Sequence, residues 1–213
     1  MIGIIGDTHG QYRYMLEHIA QRRDIDHWLH VGDLGEPGKK YPVFPSNFSF
    51  IKGNHENWEE IRNLHEAYKY GKKTYIPNGI VEVFSGVRVG ALGGNYSPKF
   101  FGYENRKLKG NRLRHYTQQD IENLKRYAGK IDILLTHEAP SPYVVYDRDI
   151  GQPTITELLL ALRPKIHFFG HHHHQGIYEY EGIPSVSLDY GHKSILTYDP
   201  ENHQIKKLSF NTD

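Results

Sequence analysis

Apolar and polar positions change rhythm along the chain. Short β-rich apolar runs at 2–5, 28–31 and 48–51 are each followed within a few residues by a glycine and then by polar side chains. Between them apolar residues recur at helical spacing: Tyr14, Met15 and Ile19 within 11–22, then Trp58, Ile61, Leu64 and Tyr68 within 56–68. Strand alternating with helix predicts an α/β arrangement with some parallel pairing. Further on, the pattern predicts strands at 80–84 and 87–92, a helix near 117–127, a strand at 131–135, a helix at 154–162 and a strand at 166–169. Past 176 only short strands follow, at 177–180, 185–189, 194–198 and 205–209, with turn residues between them. The expectation is one domain of two sheets flanked by helices.

The polar residues after these strands share a chemistry. Gly-Asp-Thr-His-Gly at 6–10, Gly-Asp at 32–33, Gly-Asn-His-Glu at 53–56, Thr-His at 136–137 and Gly-His-His-His at 170–173 put carboxylate, amide and imidazole at strand ends. Loops converge at the carboxyl ends of strands in open α/β sheets, and ligands collect there. Asp7 and His9 are two apart and can point the same way from an extended chain, as can His171 and His173. A carboxylate and an imidazole from the first strand, with one late imidazole, make a half-site for an ion such as manganese, iron or zinc. Asp33 is the natural bridge, since its two oxygens can hold cations roughly 3.5 to 4 Å apart. Asn54, His137 and the other late histidine complete the second half, and His55 is left free for proton transfer. Such a pair lowers the pKa of a bridging water, whose hydroxide attacks phosphorus in line, while His55 protonates the departing alkoxide.

Composition narrows the picture. With 213 residues, 38% of them apolar, the chain can bury a substantial core. It has no cysteine, which excludes disulfides and thiolate sites and suits a reducing cytosol. The N-terminus lacks the basic and apolar regions of a secretory signal, and no apolar run approaches the roughly 18 residues of a membrane helix. A cytoplasmic protein without a membrane partner is expected. The formal net charge of +1 supplies no general attraction for a polyanion, yet between Lys99 and Tyr116 six basic residues face one acidic residue, Glu104. That basic stretch lies in the longest run without a clear element, 93–116, which is expected to be a substrate loop or lid. Within it Arg112 and Arg114 suit phosphate, and Tyr96, with Phe100, Phe101 and Tyr103, suits stacking on nucleobases. The histidine run at 171–174 lies inside the chain after an apolar strand, so it is native rather than a tag. Glu56 and Glu138 are read as helix caps or supporting hydrogen-bond acceptors, His30 as a hydrogen-bonded core histidine, and His172 and His174 as rim residues.

The ordered series GDTHG, GD, GNHE, TH and GHxH resembles that of the calcineurin-like metallophosphoesterase superfamily over nearly the whole chain. The resemblance implies a double β-sandwich of two mixed sheets flanked by helices. It implies two divalent metal ions, manganese first, with iron, zinc or nickel as alternatives. One would sit on Asp7, His9, Asp33 and His173, the other on Asp33, Asn54, His137 and His171, with His55 contacting phosphate and assisting the leaving group. After Gly32-Asp33 the chain reads Leu-Gly-Glu-Pro-Gly, not the Asp-Arg-Gly of the protein Ser/Thr phosphatase branch, which argues against phosphoproteins. The stretch 86–124, with Ile-Leu-Leu-Thr-His-Glu-Ala-Pro from 133, is more similar to the RNA lariat debranching branch, although many of those enzymes carry Cys where Asp7 stands. The function expected is a phosphodiesterase acting on a nucleotide or nucleic acid. The alternatives are a phosphomonoesterase or protein phosphatase, and a non-catalytic scaffold, since the superfamily includes a retromer subunit that uses this fold for protein contacts.

Overall fold

The computed structural model describes residues 1–208. The chain begins with β1 (Ile2–Ile5), α1 (Tyr12–Gln21), β2 (His27–His30), β3 (Phe48–Phe50) and α2 (Trp58–Tyr68), then β4 (Ile80–Phe84) and β5 (Val87–Leu92). Two 3-10 helices, Asn105–Lys107 and Gly110–Arg114, lead into α3 (Gln118–Lys125) and β6 (Ile133–Thr136). A small hairpin, β7 (Val144–Val145) with β8 (Arg148–Asp149), precedes α4 (Pro153–Leu162) and β9 (Ile166–Phe169). The chain closes with β10 (Gly176–Tyr180), β11 (Ile183–Ser187), β12 (Ile195–Asp199) and β13 (Gln204–Lys207). Of the expected strand at 205–209, residue 209 lies outside the described residues.

Two mixed sheets carry the fold, in the orders β13-β12-β1-β2-β3 and β10-β11-β9-β6-β5-β4. In the first, β1, β2 and β3 run parallel and β12 and β13 are antiparallel additions. In the second, β5, β6, β9 and β11 are parallel, with β4 and β10 as antiparallel edges. Alternation along the strands decides what each face buries. Ile2, Ile4, Leu29 and Val31 of the first sheet meet Val89, Ala91, Ile133, Leu135 and Phe168 of the second in the core between them. Ile5, Trp28, Phe48 and Phe50 face the other way and pack under Met15 and Ile19 of α1 and Ile61 of α2. On the far side, Leu92 and Leu134 pack with Ile121 and Leu124 of α3 and with Ile155, Leu158, Leu159 and Leu162 of α4. The result is helices, sheet, sheet, helices, the expected architecture.

Helix starts follow local capping chemistry. Asn57 caps α2, its Oδ1 accepting from the N–H groups of Glu59 (3.2 Å) and Glu60 (3.4 Å), so Glu56 is not the cap. Thr117 and Asp120 form a reciprocal capping box on α3, and Pro153 opens α4 where a missing N–H costs nothing. Among the described residues no helix is long and apolar enough to cross a membrane. What the topology delivers is convergence: cross-sheet hydrogen bonds run from His137 Nδ1 to the Val31 carbonyl (2.9 Å) and from the His171 N–H to Asp7 Oδ2 (2.8 Å), so the strand-end loops of both sheets meet at one edge.

Candidate metal centre

Sharp backbone turns, rather than extended alternation, bring the side chains together. His9, Asp33, His171 and His173 have φ of 45°, 51°, 70° and 50°, the left-handed region that non-glycine residues adopt at a cost of roughly 1 to 2 kcal/mol each. This corrects the expectation that Asp7 with His9, and His171 with His173, share a side because the chain is extended. The turns are braced: the Thr8 and His9 N–H groups donate to the Asp33 carbonyl at 3.2 and 2.9 Å. The motif glycines serve close approach as much as turning. A Cβ at Gly53 would lie 2.0 Å from Asp33 Oδ1, and one at Gly170 would lie 2.2 Å from Asp7 Oδ1.

The donor atoms fall into two groups, Asp7, His9, Asp33 and His173 in one and Asp33, His137 and His171 in the other, with atoms inside each group within 4.8 Å of one another. In the first, His9 Nε2 lies 3.0 Å from His173 Nε2 and 3.7 Å from Asp33 Oδ2, and His173 Nε2 lies 3.1 Å from Asp7 Oδ2. In the second, His137 Nε2 lies 3.4 Å from Asp33 Oδ1 and 3.0 Å from Asn54 Oδ1. Asp33 therefore turns one oxygen to each group. The His55 backbone N–H donates to Asp33 Oδ1 at 2.7 Å, while its ring is exposed, 5.7 Å from that of His9.

This donor set fits divalent cations. Asp7 Oδ1 is buried with no hydrogen-bond partner, a costly arrangement for a carboxylate oxygen unless a cation satisfies it. Two imidazole nitrogens 3.0 Å apart present lone pairs that need a proton or a metal between them. His137 donates its Nδ1–H to the Val31 carbonyl, which turns Nε2 inward at Asn54 and Asp33. Without a cation, His137 is pushed up to about 10: burial disfavours its charge, but Asp33 and Asp7 outweigh burial. Asp33 is held below the ordinary carboxylate range, because His137 and His9 overcome the opposing effect of burial. Burial, with His137 and His172 nearby, pushes His171 down to about 3, which keeps it the neutral ligand form.

Of the supporting residues, Glu56 and Glu138 are hydrogen-bond acceptors, one of the two roles the sequence allowed them, whereas Tyr41 and Tyr190 carry no clear signal there. The Glu56 carboxylate accepts from the N–H groups of Leu34 (3.1 Å), Gly35 (2.9 Å) and Gly53 (3.0 Å) and from the Tyr41 hydroxyl (2.5 Å), tying the turn of Asp33 to that of Asn54. Glu138 accepts the Tyr96 N–H at 2.8 Å. The Tyr190 ring stacks on His173 at 3.9 Å, and the next residue, Gly191, donates its N–H to the Asp7 carbonyl at 2.7 Å. One of sixteen tyrosines, Tyr190 is marked only by its place just past the end of β11, beside β9. His30 is buried and satisfied as expected: Nδ1 accepts from the Gly32 N–H and Nε2 donates to Thr8 Oγ1, both at 3.2 Å. His174 is exposed, whereas His172 is half-buried and stacked on Tyr143 at 5.1 Å.

The residues expected to touch substrate are placed differently. Tyr96 stands half-buried at the root of the 93–116 loop, packed on Phe101 and Tyr116. Arg112 lies over the Phe100 ring at 5.4 Å and Arg114 Nε donates to the Asn111 carbonyl at 3.0 Å, so both side chains are engaged within the loop itself. Lys52 ties the loop to the end of β3, its Nζ donating to the carbonyls of Leu113 (2.5 Å) and His115 (3.0 Å).

Residues 1–175 match the family model for the calcineurin-like phosphoesterases. A Haemophilus influenzae protein described as uncharacterized is 26% identical, with 84% of this chain and 85% of that protein covered. A lariat debranching enzyme of Saccharomyces cerevisiae is 29% identical over 58% of this chain, which spans only 38% of that enzyme's length. Among solved structures, a Thermus thermophilus protein superposes with a TM-score of 0.67 at 14% identity, covering 96% of each chain. A phosphopantetheinyl hydrolase of Mycobacterium tuberculosis gives 0.56 at 12% identity, covering 90% of each. At such identities the likeness shows the fold alone.

Proposed function

The chain belongs to the calcineurin-like phosphoesterase family, and from that premise we propose that it is a phosphodiesterase acting on a nucleotide or nucleic acid with two divalent cations, manganese first. One observation carries the reading: Asp33 offers separate oxygens to two ligand groups that share it, beside a buried Asp7 oxygen with no other partner. Asp7, His9, Asp33 and His173 would hold one ion, and Asp33, Asn54, His137 and His171 the other. Bound there, the cations would activate a water as nucleophile and neutralise charge on the phosphoryl oxygens.

The remaining roles belong to the chain's own groups. The Val31 carbonyl and the Asp7 and Asp33 carboxylates orient the imidazoles, so the ligands are preorganised. His55, exposed at the rim, holds the proton for the departing oxygen, while its backbone N–H steadies Asp33. Tyr96, Arg112 and Arg114 are proposed to reach substrate from the loop rooted beside the site, which requires the two arginines to leave their present partners. The cysteine-free chain fits a reducing cytoplasm.

The reading is supported by similarity to a debranching enzyme and by the absence of the Asp-Arg-Gly continuation after Asp33. Its test is a comparison of bis-p-nitrophenyl phosphate with p-nitrophenyl phosphate at saturating manganese. The diester should have the higher kcat/KM. Turnover of the monoester alone would replace this reading with a phosphomonoesterase, and turnover of neither ester would favour a scaffold.

A further inference from the structure

Between α2 and the basic loop runs a groove of about 930 Å³ that includes neither His55 nor any of the seven proposed ligands, but whose Lys52 and Trp58 flank the 53–56 turn in the chain. One wall is α2, the other the two 3-10 turns of the basic loop, and the floor is apolar, with Ile61, Tyr75, Leu108 and Leu113. Trp58 sits half-buried at the first turn of α2, three residues past His55. The basic side chains of the lining are not equivalent. Lys69 is paired with Glu66, Arg106 with Glu104, and Lys52 is spent on two carbonyls. Arg62 on α2 and Lys109 on the loop are exposed, with no acidic partner among the described residues; the opposing carboxylates are Glu59, exposed near the same end of α2, and Asp120, buried and bonded to Asn105 and the Thr117 N–H.

We propose that this groove holds the nucleotide portion of the leaving strand, with a base against Trp58 and a flanking phosphate between Arg62 and Lys109. The proposal rests on the phosphodiesterase reading above. Its geometry comes from His55: the group that protonates the departing oxygen marks the side on which the leaving strand lies, and α2 begins just beyond it. An aromatic and apolar floor with cations on both walls is the chemistry that binds a nucleotide strand, through stacking plus phosphate charge. The volume lies near the upper end of the roughly 300 to 1,000 Å³ typical of ligand pockets, more than a p-nitrophenyl group needs.

Two measurements test it. First, kcat/KM is measured for a short oligonucleotide with a phosphate on its leaving side and for bis-p-nitrophenyl phosphate, which ends before the groove. In the double variant Arg62→Glu, Lys109→Glu the ratio of the two should fall about tenfold or more, which corresponds to about 1.4 kcal/mol. Second, a dinucleotide titrated without divalent cation should quench Trp58 emission, and more weakly in the double variant. The other tryptophan, Trp28, is fully buried in the core and gives an unresponsive background. An unchanged ratio with the short diester still hydrolysed, or no quenching, overturns the groove while leaving the phosphodiesterase reading intact. If the short diester is not hydrolysed at all, that reading fails, and quenching alone then decides whether the groove binds nucleotides.

Discussion

Gly53→Ala isolates what the geometry of Asp33 is worth. A Cβ at this position would meet Asp33 Oδ1 at 2.0 Å, the Asp33 backbone N at 2.1 Å and Asp33 Cγ at 2.7 Å, whereas real Cβ contacts essentially never fall below 3.0 Å. Something must therefore move by about 1 Å, the difference between 3.0 and 2.0 Å. The Asp33 peptide cannot yield easily, because its carbonyl accepts from both Thr8 and His9. The displacement falls on the Asp33 carboxylate or on the 53–55 turn, which the Gly53 N–H bond to Glu56 and the His55 N–H bond to Asp33 hold in place. Metal ligation tolerates about 0.2 Å, and a misplacement of about 1 Å can cost about 10²-fold in rate. The variant should lose at least about 100-fold in diester turnover and most of its bound metal, while overpacking costs about 1 to 3 kcal/mol of stability. Metal per chain, kcat at saturating manganese and the denaturant midpoint are measured together. Gly71→Ala is the contrast: its φ of 86° strains an alanine, but nothing lies within 4 Å. It should lose about 1 to 2 kcal/mol and no metal. Full metal content and wild-type turnover in Gly53→Ala would refute the close approach described for Asp33.

Three further substitutions probe the leaving-group acid, the ring behind His173 and a buried neutral histidine. His55→Ala should keep both metals and slow diesters with poor leaving groups by about 10² to 10⁴, with little effect on p-nitrophenyl leaving groups; metal loss equal to that of Asp33→Ala would contradict the division of roles. Tyr190→Ala removes the ring stacked on His173 and should weaken metal binding about 10-fold or more, measured by competition with a chelator, and unchanged affinity would remove Tyr190 from the site's support. His167 is buried between Thr136 Oγ1 (2.8 Å) and Ser185 Oγ (3.2 Å), and burial pushes it down to about 3. Between pH 6.5 and 3 the unfolded chain binds a proton there that the folded chain refuses, so this group's contribution to stability falls as pH drops. Going from pH 8 to pH 5, that loss is about 2 kcal/mol. The cost of His167→Asn should therefore be about 2 kcal/mol smaller at pH 5 than at pH 8, and equal costs would show that His167 is not held neutral.

Strands were legible because their buried faces demand apolar residues. Ile2 to Ile5 and Ile166 to Phe169 are buried throughout, and their short runs end in the turn residues that separate them from the apolar run of α4, Leu158 to Leu162, which lies in a longer helical stretch. The ligand-bearing turns were legible from residue type, since carboxylate, amide and imidazole at strand ends are expensive unless they serve a site. What was not legible was conformation. A left-handed φ at His9 or His171 has no counterpart in residue spacing, so spacing alone points to alternation where the turns set the shared direction of the side chains. The roles of Gly53 and Gly170 depend on how near another carboxylate comes, a distance set by a second segment. The hairpin at 144–149 has strands of two residues, all exposed but the half-buried Val145, too short for any period to emerge. Arg112 and Arg114 stood out by charge alone, and charge does not reveal that Phe100 and Asn111 already engage them.

The proposed pair of cations, held by side chains from Asp7 to His173 and shared by Asp33, can be counted. In equilibrium dialysis against manganese, with metal quantified per chain, the wild type should bind two equivalents and Asp33→Ala should lose both ions. One equivalent or none in the wild type, or a variant that retains the full complement, would rule out the shared pair.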